Sequence, residues 1–296
     1  MSAAPVYFGL EAGGTKCICL IANGPDGILA RASLPTAHPA QTLGAARAFF
    51  TEASHWARPT GCGIAAFGPI QLDRQAPDYG RIAKTPKPGW EGIDLRQVFA
   101  GLDAPIEIDT DVNGAALAEW KWGAGQGLRS LAYATIGTGI GAGVLRDGQS
   151  VQGAWHFEMG HMRPRRAPGD AFAGVCPFHG DCLEGLASGP AIAARWGAPL
   201  SDLPPDHPAF AMQAEYLGQL CASLAFAHAP ERIVLGGGVM HAPGLLEKVA
   251  VAAQVLMGGY AAWPAARNEK GFVQRPALKD LAGPMGAIAL AMRAAG

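Results

Sequence analysis

The chain has 296 residues, 49% hydrophobic and 16% charged, which bounds it to a soluble globular protein of one large or two medium domains. Its 23 basic and 24 acidic side chains leave a formal net charge of −1 with no Lys/Arg-rich run, so the basic stripe that nucleic acid or an anionic membrane requires is missing. No stretch approaches the ~18–20 apolar residues of a membrane helix, and the opening MSAAPVYFGLEAGG lacks the charged start and long apolar run of a secretory signal, so a cytoplasmic protein is expected.

Residues 6–34 read as a β-meander: strand, Gly/Thr turn, strand, Asp26-Gly27 turn, strand. Helical spacing follows over 41–57. GCGIAAFGPI, 61–70, predicts a short buried strand ending in a Gly-Pro loop, and the proline-bearing stretch 71–92 a loop. PIEIDTDVN, 105–113, is a strand with an acidic end, and 115–125 a helix stopped by glycine. Residues 130–153 repeat the opening pattern, with Asp147-Gly148 as the later turn. Residues 154–185 are irregular and rich in Gly, Pro, Cys and His. Helices over 208–228, 243–257 and 283–294, and a strand over 232–240, complete the chain. Alternating strands and helices indicate α/β architecture, and two similar halves indicate two domains with a cleft between them.

The 41 glycines cluster at strand ends. GLEAGGTK (Gly9 to Lys16) and TIGTGIGAG (Thr135 to Gly143) each place consecutive backbone N–H groups and Thr hydroxyls at a tight turn, which suits an anion such as phosphate. Neither has P-loop spacing, and a strand rather than a helix follows each, which argues against both a P-loop and a dinucleotide fold. LGGGVM (Leu235 to Met240) is a third glycine turn at a strand end, suited to a nucleotide or simply to starting a helix. Asp111 ends a strand before a helix. It can accept a proton from an attacking hydroxyl, or it can serve as the helix N-cap.

Of the six cysteines, Cys17, Cys19, Cys62 and Cys221 sit in apolar surroundings and read as core. Cys176, His179 and Cys182, with His161 15 positions before Cys176, make a complete tetrahedral zinc set with no open position, hence a structural ion. Glu158 and Glu184 flank that set, and carboxylates accept hydrogen bonds from sugar hydroxyls. His156 lies in the same stretch with no role assigned.

Together GLEAGGTK, FGPI, KTPKPGW, DTDVNGAALAEW, TIGTGIGAG, HFEMGH, GVCPFHGDCLEGLASGPA and LGGGVM resemble the ROK family of sugar kinases, close to its fructokinase branch, over essentially the whole chain. The resemblance implies a two-domain actin-like ATPase (ribonuclease H-like) fold with a zinc-bound loop. The smaller domain is expected over 1–111 plus 280–296 and the larger over 112–279. It implies Asp111 as the base. Gly13, Gly14, Thr15 and Lys16 fall on the first phosphate motif, Gly137, Thr138, Gly139 and Gly141 on the second. Gly236, Gly237, Gly238, Val239 and Met240 lie near adenosine, with Pro190 near the nucleotide. Gly68, Pro69, Asn113, Glu158, His161 and Glu184 match sugar positions, and His161, Cys176, His179 and Cys182 the zinc set.

The implied reaction is ATP-dependent phosphorylation of a hexose, D-fructose above others, with Mg2+ bridging the phosphates. The implied partners are a sugar, a nucleotide and a second copy of the chain in a homodimer. A kinase for mannose, glucose or an N-acetylhexosamine is the alternative within the family, and a sugar-sensing regulator without turnover the alternative outside catalysis. The chain departs from the family at Glu11, where many members carry Asp, at His179, where the wider family has Cys, and at Phe157, where the branch usually has Pro. The first motif begins at residue 9, which leaves no room for the DNA-binding segment of regulatory members.

Overall fold

The computed structural model describes residues 4–260 and 271–296. The chain forms two compact units. One takes the described residues of Met1–Gly123 with Gln152–His156 and Asp280–Gly296; the other takes Ala124–Val151 and Phe157–Lys279. The first boundary falls at Gly123, one helix beyond residue 111.

The sheet of the first unit contains β1 (Tyr7–Ala12), β2 (Lys16–Ala22), β3 (Ile28–Pro35), β4 (Gly61–Ala66) and β5 (Ile106–Thr110), in the order β3-β2-β1-β4-β5. β1 to β3 are antiparallel neighbours, while β1, β4 and β5 run parallel. Helix α1 (Pro39–Ser54) begins two residues before the spacing predicts, because Pro39 is preorganised for the first helical turn. Its Phe50 ring stacks on Phe8 at 5.7 Å and meets Phe99 at 4.7 Å. These rings centre a core that also takes Leu10, Cys17, Cys19 and Cys62, so these three cysteines are packed as expected.

The opposite face carries glycine, because a helix backbone lies directly on it. A Cβ at Gly63 would lie 1.9 Å from the Ala287 carbonyl oxygen of α7 (Ala282–Ala294), and one at Gly61 would lie 2.2 Å from that of Ala291. Helix α2 (Asp111–Trp122) crosses α7 where Gly114 meets Gly286. A Cβ on Gly286 would reach 2.4 Å from the Gly114 carbonyl carbon, so two helices of small residues approach backbone to backbone. This contact keeps α2 with the first unit.

The second unit repeats the topology with β6 (Ser130–Ile136), β7 (Ile140–Arg146), β8 (Gln149–Ser150), β9 (Ile233–Gly236) and β10 (Val273–Gln274), in the order β10-β9-β6-β7-β8. Its core gathers Ile136, Leu186, Tyr216, Leu217, Cys221 and Leu235. Helices α5 (Pro208–His228) and α6 (Leu245–Met257) pack closely through Gly218 against Ala252. The short helices α3 (Leu183–Ala187) and α4 (Gly189–Trp196) were not foreseen, since five and eight residues give too little periodicity to read. Buried Arg195 of α4 pairs with Asp170 at 2.9 Å and covers the Phe172 ring at 4.5 Å, and the Tyr216 hydroxyl donates to the same carboxylate. These contacts fasten the irregular stretch before Cys176 to α4 and α5. Among the described residues, no helix is long and apolar enough to cross a membrane.

Candidate active site

In the first unit, strand register brings the chemistry together. Ala12, Ala66 and Thr110 are aligned neighbours at the carboxyl ends of β1, β4 and β5. The chain just beyond them holds Gly13, Gly68-Pro69 and Asp111, the edge of a parallel sheet where ligands bind in α/β folds. The Gly68-Pro69 bond is cis.

The first phosphate motif is the β1–β2 turn. The Gly13 amide donates to the Lys16 carbonyl at 3.0 Å, and the Thr36 hydroxyl donates to the Gly13 carbonyl at 2.7 Å. A Cβ at Gly13 would press on the Lys16 oxygen at 2.7 Å, whereas one at Gly14 would meet nothing within 4 Å. Gly13 is therefore needed for the turn itself, and Gly14 leaves an open approach to the backbone. Thr15 and Lys16 are exposed.

Asp111 is not the N-cap of α2. Thr110 takes that place, its hydroxyl accepting the Asn113 amide at 3.2 Å, and Asp111 follows as the first helical residue with Oδ1 on the Val112 amide at 2.8 Å. Burial raises the Asp111 carboxyl to about 6 against the pull of backbone amides. Glu11 is raised to about 7, first by burial and then by the Asp111 charge, with Lys16 and Arg31 opposing. A Cβ at Gly283 would lie 1.9 Å from Glu11 Oε1, so the start of α7 has glycine where this carboxylate comes in. Asn113 is 3% exposed, and its side-chain amide donates to Asp109 Oδ1 at 2.7 Å. It braces the end of β5 rather than facing an open surface.

In the second unit, Thr135 of β6 is aligned with Gly236 of β9, so the second phosphate turn and the third glycine turn lie side by side. The Gly137 amide donates to the Gly139 carbonyl at 2.9 Å, and the Gly137 carbonyl accepts the Gly189 amide at 2.7 Å. That bond sets Pro190 and the start of α4 against the turn, with Ser188 capping the helix. Gly237 has φ of +88°, and a Cβ there would lie 2.4 Å from the Ile136 oxygen. Thr138 and Gly238 are exposed, Gly141 and Val239 half-buried and Met240 buried.

His161, Cys176, His179 and Cys182 converge, their ligand atoms within 4.8 Å of one another. Cys176 Sγ lies 3.8 Å from both His161 Nδ1 and His179 Nδ1, and Cys182 Sγ lies 3.6 Å from His161 Nδ1. A tetrahedral ion with bonds of about 2.0–2.1 Å to nitrogen and about 2.3 Å to sulfur spaces its ligands by about 3.3–3.8 Å, which these three Cys–His spacings match. The knuckle is set by paired Cys176 and Gly180 backbones and by a Gly180 φ of +60°. Cys182 Sγ also accepts the Gly185 amide at 3.5 Å, capping α3. The turn carrying Glu158 and His161 packs on β7, where a Cβ at Gly160 would lie 1.9 Å from the Ile140 oxygen. Glu158 is exposed.

The ROK family model matches residues 7–294. The chain belongs to the ROK family. A fructokinase of Zymomonas mobilis is 44% identical over 295 residues, covering 98% of this chain and 97% of that one. A fructokinase of Lactococcus lactis subsp. cremoris is 37% identical over 93% of each chain. The crystal structure of a ROK hexokinase from Thermus thermophilus superposes with a TM-score of 0.77 at 29% identity, covering 97% of this chain and 98% of that one. The fold is the actin-like ATPase fold of ROK sugar kinases.

This ROK chain also has site neighbours that the sequence reading passed over. Lys87, from KTPKPGW, donates to the Gly14 carbonyl and lies over the Phe67 ring at 5.5 Å from its centroid. His156 is 6% exposed, and its Nε2 accepts the Ile70 amide at 3.1 Å, just beyond Pro69. Gln152 donates to Asp109 at 3.4 Å. The two lysines of KTPKPGW, Lys84 and Lys87, were the visible signal; the contacts of His156 and Gln152 span 86 and 43 positions and leave no local pattern.

Proposed function

We propose that the protein transfers the γ-phosphoryl group of ATP to the O6 hydroxyl of D-fructose, giving fructose 6-phosphate and ADP. The fructokinase relatives, similar over nearly their full length, support the choice of sugar. The observation that carries the chemistry is Asp111 at the carboxyl end of β5, its carboxyl lifted to about 6. A base titrating just below neutrality is ionised at working pH yet basic enough to take a hydroxyl proton. In the step, O6 of the sugar bonds to the γ-phosphorus, the bond to the β–γ bridging oxygen breaks, and the O6 proton passes to Asp111. Transfer of this kind rests on positioning and charge stabilisation.

The family resemblance assigns Gly13, Gly14, Thr15, Lys16, Gly137, Thr138, Gly139 and Gly141 to the phosphates, Gly68-Pro69 to the acceptor, and Gly236 to Met240 with Pro190 to the nucleoside. Glu158, His161 and Glu184 face the sugar hydroxyls, and Asn113 acts indirectly through Asp109. His161, Cys176, His179 and Cys182 would hold a zinc ion, which would supply a crosslink in a stretch without regular structure. Magnesium held with the nucleotide, near Glu11, would supply charge neutralisation at the phosphates. A homodimer in the cytoplasm is the expected working form.

The test is product identity. Fructose and MgATP are incubated with the enzyme, and the product is passed to phosphoglucose isomerase and glucose-6-phosphate dehydrogenase. NADPH formed in proportion to ADP supports phosphorylation at O6. ADP without NADPH refutes that position.

A further inference from the structure

We propose that Lys87 is a catalytic residue whose ammonium binds the phosphoryl group during its transfer. This rests on the kinase reading above.

The observation is a positive charge on the first glycine turn with no carboxylate partner among the described residues. Lys87 Nζ donates to the carbonyl of Gly14, inside the first phosphate motif, and its other recorded neighbour is the face of Phe67. Among the described residues it forms no ion pair with a carboxylate. An ammonium carries three donors and no acceptor, so the Gly14 bond leaves two N–H groups for other oxygens. The side chain is only half-exposed, and burial lowers its pKa, so an anion beside it would be stabilising.

Placement gives the anion its identity. Gly14 is the position of the turn where backbone approach is open. Phe67 follows β4 directly and precedes Gly68-Pro69, the acceptor loop. Its ring is held edge-on by Trp90 at 5.2 Å, and Trp90 in turn donates from Nε1 to the Ala37 carbonyl at 3.0 Å. Lys87 is therefore rooted between phosphate turn and acceptor loop by the aromatic end of its own KTPKPGW motif. A phosphoryl group leaving a nucleotide on the turn for a hydroxyl at the loop carries oxygens past that ammonium, and charge-assisted bonds to phosphate are among the stronger hydrogen bonds. A solely structural lysine, holding the Gly14 carbonyl, would serve ADP and ATP alike.

That difference sets the experiment. Magnesium complexes of ADP and of β,γ-imido-ATP are titrated calorimetrically onto wild type and K87M, with melting curves as the folding control. K87M is expected to bind β,γ-imido-ATP at least tenfold more weakly, to hold ADP within twofold, and to lose at least 100-fold in kcat. Equal weakening of both nucleotides, or unchanged affinity for both, would overturn the proposal. If K87M does not melt like wild type, K87Q, which keeps a donor for Gly14 without the charge, goes through the same titrations with the same outcomes. The nucleotide titrations use no sugar. A wild type that phosphorylates no sugar yet shows this K87M pattern refutes the acceptor assignment and leaves the phosphoryl contact standing.

Discussion

One carboxylate oxygen of Glu184, Oε2, accepts the backbone amide of Ile140 at 3.0 Å. Glu184 lies two residues after Cys182 of the metal cluster, and Ile140 begins β7 directly after the second phosphate turn. A Cβ at Gly139 would come 2.6 Å from the same oxygen. A residue expected only at the sugar thus also ties the Cys/His knuckle to a phosphate loop, with Oε1 still available for a hydroxyl.

Through this tie, a metal held by the Cys/His set would affect nucleotide binding. Cys176→Ser removes one ligand and with it the crosslink that an ion would make to Cys182, the cap of the helix that carries Glu184. Zinc content should fall from about one per chain, Tm should drop by at least about 5 °C, and KM for ATP should rise at least as much as KM for fructose. Metal analysis, melting curves and steady-state kinetics check this. Active wild type without zinc would remove the crosslink from the account.

Asp111→Asn keeps the size of the side chain and removes its basicity. Loss of general-base catalysis is worth about 10²–10⁴ in rate, so kcat should fall by that much with circular dichroism unchanged. In the wild type, kcat/KM should rise with pH through about 6 as Asp111 ionises. Near-normal turnover by the variant would remove Asp111 from the proton transfer.

The same carboxyl makes an opposite prediction for stability. Its folded pKa of about 6 lies above the unfolded value of 3.8, so the fold favours the protonated form. The stability contributed by that proton is fully present below pH 3.8 and is lost as pH rises through 6. Asp111→Asn should therefore raise stability at pH 8, by up to about 3 kcal/mol, and change it little near pH 4. Melting curves of both proteins at the two pH values decide it. A variant less stable than wild type at pH 8 would mean that the carboxylate is held by favourable contacts.

Two glycines in the turns proposed to hold the nucleotide should behave differently. Gly237→Ala meets a φ of +88° and the Ile136 oxygen, so it should cost about 1–3 kcal/mol of stability. Gly14→Ala has open space and should leave Tm unchanged, yet it should weaken ATP by at least tenfold where phosphate approaches that backbone. Melting curves and nucleotide titrations of both variants separate folding from binding. Unchanged ATP affinity in Gly14→Ala would move the phosphate elsewhere.

His156 reads as a brace for the acceptor loop. His156→Leu leaves the buried Ile70 amide without its acceptor, at a cost of about 1–3 kcal/mol. KM for fructose should rise with KM for ATP unchanged, and His156→Gln, which puts an oxygen near the place of Nε2, should recover part of the loss. Equal change in both KM values would assign the residue to general stability.

Both β-meanders and all three glycine turns were legible in the sequence, because a tight turn needs glycine locally and the need is written at the turn itself. The convergence of His161, Cys176, His179 and Cys182 was legible from residue type and spacing, since few other arrangements use Cys, His and Cys within seven positions. The N-cap at Thr110 was missed because Asp111 beside it is an equally good capping residue in isolation. The buried bond from Asn113 to Asp109 shows the limit for site residues, because a motif fixes a position and packing decides which way the side chain faces. The approach of Gly283 to Glu11 joins positions 272 residues apart, and no local pattern encodes it.

The most direct measurement is kcat/KM with MgATP for fructose, mannose, glucose and N-acetylglucosamine, followed by ADP release from zinc-loaded protein. The account predicts strong preference for fructose. A preference for another sugar would contradict the acceptor assignment, and no turnover with any of the four would contradict the kinase reading itself.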